Sequence, residues 1–327
     1  MISRRQILIA LGASAVASTS LSFAQQPVRS VRIGFLGSGS AAGYAGMIAA
    51  LREGLLDRGY AEGRNLVIEF RWADEKYDRL PALAAELVRV NADVIVTHGA
   101  PGTRAAQKAT RTIPIVMATS GDAVATGLVA SLARPGGNTT GLTALGHDMM
   151  RKRLELLKEI MPHLSRVAVL LNANNPANRA IVRSMEGATR SLKLGLQTFD
   201  VRGPGEFENI FAAIAKMRVI AVTSSQEGMF LSNARRISEA AIAQRIAVAG
   251  GKESAEAGAL IGYGPNFLEM YRHTATFVDK IVNGARPGDL PVEQPTKFEL
   301  IVNLRTAKAL GLRMPQALLL RADRIIE

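Results

Sequence analysis

Short apolar runs, each ending in a cluster of small polar residues and separated from the next by a helical stretch, recur along almost the whole chain. The clearest is Ile113-Pro114-Ile115-Val116-Met117-Ala118, followed at once by Thr119-Ser120-Gly121-Asp122. A continuous apolar run, rather than an alternating one, marks a strand buried on both faces, as in a parallel sheet covered by helices. Parallel neighbours need crossovers, and helices supply them. The pattern predicts an α/β chain of doubly wound parallel sheets.

The runs fall into two arrays. In the first, strands are expected at 31–36, 65–72, 93–97 and 113–118, with helices at 43–58, 79–90, 103–109 and 123–132. Pro135-Gly136-Gly137-Asn138 ends the last of these, and 139–143 leaves as an extended crossing. The second array is about as long. Its expected strands are 166–171, 196–201, 219–222, 247–249 and 260–263, with helices at 151–161, 180–194, 206–216 and 234–244. A helix over 264–284, a strand at 298–304, a helix at 306–310 and a terminal segment at 318–326 complete the chain. After a leader is removed, about 300 residues remain, enough for two lobes.

Ligands of open α/β sheets bind outside the carboxyl ends of the strands. Those ends supply the candidate site: Ser38 and Ser40; His98, Gly99, Ala100 and Thr103; Thr119, Ser120 and Asp122; Asn172 and Asn174; Ser224, Ser225 and Gln226; and Lys252. Such groups suit a small polar solute held by directional hydrogen bonds, and a zwitterionic amino acid fits best. Its carboxylate is expected at the donors around 99–103, where a helix N-terminus begins and where Thr103 also suits an N-cap. Asp122 is the leading partner for the ammonium, and it equally suits a cap of the helix that follows. His98 reads as a structural histidine or as a ligand contact. Lys252 reads as a surface lysine or as a contact to an anion.

Catalytic signatures are missing. There is no cysteine, no G-x-S-x-G and no H-E-x-x-H, so the reading is a binding protein without catalytic residues, metal or cofactor. Gly37-x-Gly39-x-x-Ala42 fits a dinucleotide fingerprint on spacing, but no acid closes the second strand; Asp57 falls on the helix and Glu69 inside the strand. The formal net charge of +12 does not point to nucleic acid, because the basic residues are scattered without aromatic interleaving. The longest cluster, Arg151-Lys152-Arg153, reads as a solvated helix start.

Residues 1–24 have the form of a cleavable export signal: Arg4 and Arg5, an apolar run over 7–17, then Ser22-Phe23-Ala24. Ser3-Arg4-Arg5-Gln6-Ile7-Leu8 is similar to a twin-arginine signal, and the general route fits as well. Removal of Arg4 and Arg5 takes the formal charge from +12 to +10. A periplasmic protein is expected.

The stretch 113–143, with Gly121-Asp122, Gly127-Leu128-Val129 and Ser131-Leu132-Ala133-Arg134-Pro135-Gly136-Gly137-Asn138, resembles the signature region of periplasmic substrate-binding proteins of ABC transporters, in the family with tryptophan- and other amino-acid-binding members. The blocks 294–312 and 321–327 are similar too. The resemblance implies a type I periplasmic binding fold with a three-stranded hinge, lobe 1 at 27–143 plus 266–293 and lobe 2 at 144–265 plus 296–327. It implies a solute receptor that is monomeric and hands its ligand to an inner-membrane ABC permease; a periplasmic sensor of the same fold is the alternative. Two departures, Ser224-Ser225-Gln226 and Ala249-Gly250-Gly251-Lys252, argue for a smaller or more polar second wall and against an aromatic ligand.

Overall fold

The computed structural model describes residues 30–327 apart from 145, 176, 177 and 226, and apart from the side chains of 146–148 and 180. The expected export signal at 1–24 and Gln226 therefore lie outside the described residues. Two α/β layers make up the rest.

The first contains β1 (Val31–Gly37), α1 (Ala45–Leu56), β2 (Leu66–Trp72), α2 (Leu80–Arg89), β3 (Val94–His98), α3 (Gly99–Ala109), β4 (Ile115–Thr119) and β5 (Thr139–Gly141). Its five strands are parallel in the order β2-β1-β3-β4-β5. The second begins with α4 (Gly146–Ile160), β6 (Arg166–Asn172), α5 (Asn178–Ser191), β7 (Gly195–Val201), α6 (Phe207–Lys216), β8 (Ala221–Ser224), α7 (Gly228–Ser232), α8 (Ala234–Ala243), β9 (Ala247–Gly250), α9 (Lys252–Glu256) and β10 (Ile261–Pro265). The chain then returns to the first layer as α10 (Phe267–Val282) and crosses back for β11 (Phe298–Asn303), α11 (Leu304–Leu310), α12 (Gln316–Leu319) and β12 (Arg324–Ile326). The second sheet runs β12-β11-β10-β9-β8-β6-β7, with β11 antiparallel to β10.

Burial explains the return of α10. Its Phe267, Met270, Tyr271, Phe277, Val278 and Ile281 share one core with Ile33, Phe35, Leu51 and Leu55 of β1 and α1. Asn266 starts the helix at the crossing, its side chain accepting from the N–H groups of Leu268 and Glu269. The second sheet has its own cores, one around Val167, Val169, Leu171, Ala249 and Val302 and another around Phe207, Phe211, Val222 and Ile237.

Three expected elements differ most, the first being α4, which starts at Gly146, five residues before the expected position. Residues 123–132 do not form a helix: after one turn, in which Thr126 N–H donates to Asp122 O, Gly127 takes φ +65 and the N–H groups of Leu128 and Val129 fold back on Ala123 O. Helix α3 starts at Gly99, four residues before the expected position. Pro101 sits in its first turn, where the missing N–H costs no intrahelical bond.

The sheet orders set the site. Strand order reverses between β1 and β3 in the first sheet and between β6 and β8 in the second. Such switch points open a crevice at the strand carboxyl ends, and the two crevices face one pocket, lined by Ser38 and His98 from one and Ser224 and Ser225 from the other.

Candidate functional site

The pocket holds about 1200 Å³ of empty space, counting its open mouth. Most of the strand-end residues converge on it: Ser38, His98, Gly99, Ala100, Thr119, Ser120, Asp122, Ser224 and Ser225 all line it. Five others do not. Ser40 turns its hydroxyl to Gly43 N–H at the start of α1. Thr103 is buried inside α3, where its hydroxyl bonds Gly99 O and the Thr97 hydroxyl. Asn172 folds its side-chain oxygen onto Asn174 N–H, and Asn174 lies on an exposed turn. Lys252 is neither free on the surface nor in the pocket: it pairs with Glu299 at 3.0 Å.

On the first wall, Ser120 Oγ is buried and has no partner among the described residues. Asp122 is the cap of the turn that follows, Oδ1 accepting from Val124 N–H at 3.1 Å and Ala125 N–H at 2.9 Å. His98 is buried, with Nδ1 2.7 Å from the Tyr271 hydroxyl, and burial lowers its pKa to about 4, so the ring is neutral at physiological pH.

The second wall carries charge that local sequence does not announce. Arg153, 1% exposed, donates from Nε to Tyr263 O at 2.9 Å, and its Nη2 has no partner among the described residues. Burial lowers its pKa to about 10, which keeps it cationic at neutral pH. Among the described residues no other residue donates to the Glu253 carboxylate, and burial raises this group to about 7 against the opposing pull of its own backbone N–H and the Arg153 charge. Glu227 is buried as well and raised by that burial, although Ser225 Oγ donates to it at 2.7 Å and the Tyr77 hydroxyl at 3.0 Å. Arg153, Glu227, Glu253 and Tyr77 all line the pocket. Arg153 had one legible signal. Met150, Leu154, Leu157 and Met161 form the helical stripe of α4, and position 153 falls on that stripe while Arg151 and Lys152 do not.

Apolar side chains fill out the lining, with Met150, Ile181, Phe230, Leu231 and Phe267 converging from four helices beside the polar Thr126, Asn175 and Ser254. Among the described residues, no group of three or more His, Asp or Glu is placed to hold a metal.

A family model described as ABC transporter substrate binding protein matches residues 40–326. A tyrosine-binding protein of Clostridioides difficile (strain R20291) is 27% identical over 270 residues, covering 82% of this chain and 76% of the relative. A conserved domain protein from Vibrio cholerae O1 biovar El Tor superposes with a TM-score of 0.85 at 26% identity, over 91% of this chain and all of the other. An ABC domain from Streptococcus pneumoniae, solved in complex with L-Trp, gives 0.83 at 21% identity, again over 91% of this chain and all of the other.

Proposed function

The chain belongs to the family of ABC transporter substrate-binding proteins, which are not enzymes, and from that premise we propose that it captures an amino acid between its lobes. It does so in the periplasm, as a monomer, and delivers the solute to an ABC permease of the inner membrane. The export signal at 1–24 supports the location. Among the described residues, no helix is long and apolar enough to cross a membrane.

The observation that carries the ligand class is the pair of unsatisfied charges on one wall. Arg153 Nη2 and the Glu253 carboxylate are buried in the same pocket and attract each other, and among the described residues neither has a hydrogen-bond partner from another residue. Among the described residues, no ion pair joins them. Burying either charge alone is costly. A zwitterion supplies both missing partners, its carboxylate to Arg153 and its ammonium to Glu253. This places the head group on the second lobe and frees Asp122 from the ammonium, leaving it as a cap. The apolar lining around Phe230 and Phe267 receives the side chain, with room for a ring, and a tyrosine-binding relative is consistent with that.

Calorimetric titration with the L-amino acids tests the reading. At least one binds, and Arg153→Met, which keeps the volume and removes the charge, loses about 2–5 kcal/mol of binding, the cost of leaving one buried partner unpaired. A protein that ignores every amino acid but binds a neutral sugar would overturn it.

A further inference from the structure

His98 ends β3, and its ring lines the pocket. Three aromatic rings hold it: Tyr44 at 5.0 Å between centroids, Tyr271 at 6.0 Å and Phe267 at 6.2 Å. One ring nitrogen, Nδ1, is engaged by the Tyr271 hydroxyl at 2.7 Å; among the described residues Nε2 has no partner. Tyr271 is fully buried, and burial raises its pKa well above the ordinary value, so the hydroxyl keeps its proton.

That proton decides the tautomer. Were Nδ1 to carry the ring hydrogen and donate to the hydroxyl, the hydroxyl proton would be left without an acceptor in a dry core, since Nδ1 is the only partner of Tyr271 Oη among the described residues. When the hydroxyl donates to Nδ1 instead, both groups are satisfied, and the hydrogen of the neutral ring sits on Nε2. The wall beside it adds donors without adding charge. Ser120 Oγ is buried and unpartnered, and the N-terminus of α3 at Gly99 lines the same pocket.

We propose that Tyr271 fixes His98 in the Nε2–H tautomer, and that this neutral N–H, with the Ser120 hydroxyl beside it, donates to an oxygen acceptor of the bound solute. Tyr271 is a positioning residue that never touches the solute; His98 is the group that reads it. The first wall thereby selects a solute with an acceptor oxygen facing His98, away from the charged head. The choice of an amino acid as test ligand rests on the function proposed above; the tautomer does not.

Two measurements test this. Long-range proton–nitrogen correlation spectra of the ligand-free, histidine-labelled protein report which ring nitrogen is protonated. Nε2–H is expected in the wild type and a mixture of tautomers in Tyr271→Phe. Titration with L-tyrosine then compares His98→Asn, which keeps an amide near Nδ1 but has no donor at the Nε2 position, with His98→Gln, whose amide reaches that position. His98→Asn should weaken binding about tenfold and His98→Gln should recover most of it. An Nδ1–H ring in the wild type, a tautomer population unchanged in Tyr271→Phe, or wild-type affinity in His98→Asn would each overturn the inference. A wild type that does not bind L-tyrosine counts against the choice of ligand, and the ligand-free spectrum then decides the inference by itself.

Discussion

The hydroxyl of Tyr77, in the core of the first lobe, donates to Glu227 of the second at 3.0 Å, with both residues buried. It is a direct bond between the lobes at the edge of the pocket. Around it the lobes meet on small residues. A Cβ on Gly228 would fall 2.6 Å from Ser38 Oγ, and one on Gly39 would fall 2.6 Å from Ser232 Oγ. The lobes thus meet through polar bonds, this one and Glu75 to Asn233 among them, and through a tightly fitted seam, and each can be weakened without touching a lobe's own core.

Tyr77→Phe removes the bond and keeps the ring in its core. Glu227 retains Ser225 as a donor, so the loss is partial. A hydrogen bond to a charged acceptor contributes about 1.5–3 kcal/mol, and part of that appears as weaker closure. Ligand affinity should fall about three- to tenfold, with a melting temperature close to wild type. Unchanged affinity would mean that closure does not depend on this bond.

Gly43→Ala acts on the seam by shape alone. The added Cβ would overlap the Ser232 hydroxyl and approach its Cα to 2.9 Å. Gly43 lies outside the positive-φ region, so alanine brings no backbone strain of its own. The added methyl holds the lobes apart. Small-angle scattering at saturating ligand should show a larger radius of gyration than wild type, and Ser232→Gly in the same chain should restore part of the difference. Identical radii would show that the seam yields.

Glu253 makes stability depend on pH. Its pKa rises from 4.5 to about 7 on folding because burial disfavours the charged form. The folded protein then holds a proton that the unfolded chain releases. The stabilisation is full below the unfolded value and is lost as pH rises through about 7, on the order of 3 kcal/mol in all. Melting temperature should fall between pH 5 and pH 8, and Glu253→Gln, which stays neutral, should flatten that slope. Glu227 and Glu75 are also raised by burial and add slope of the same sign, so the difference between wild type and variant isolates Glu253. Equal slopes would assign the effect to those other groups.

The strands were legible because each is a solid apolar run, and the strand-end rule alone brought nine of the candidate residues, from Ser38 to Ser225, to one pocket. What the local sequence hides is burial that depends on the partner element. Arg153 ends a run of three basic residues, and the packing of α4 against the second sheet is what separates it from Arg151, which is 60% exposed. Glu253 and Lys252 are adjacent, yet one lines the pocket and the other pairs with Glu299 on β11, 47 residues further along. The start of α3 is obscured for another reason. Gly99, Pro101 and Gly102 have loop-like propensities, but at the head of a helix neither a proline nor a left-handed glycine breaks a bond that would otherwise form.

Asp122 separates a cap from a ligand partner. Its Oδ1 holds the N–H groups of Val124 and Ala125, and the Thr143 hydroxyl takes Ala123 N–H beside them. That turn stands where a helix fails to continue, so the cap is what fixes the approach of 123–129 to the pocket. Asparagine caps nearly as well as aspartate, and alanine does not. Asp122→Asn should therefore leave both melting temperature and amino-acid affinity almost untouched, while Asp122→Ala lowers stability by about 1 kcal/mol. If the carboxylate instead meets the ligand ammonium, Asp122→Asn alone would weaken binding by well over tenfold, because a buried charge would lose its partner. Titration of the two variants side by side reads the difference: loss in both places the ammonium at Asp122, and loss in neither leaves it with Glu253 on the opposite wall.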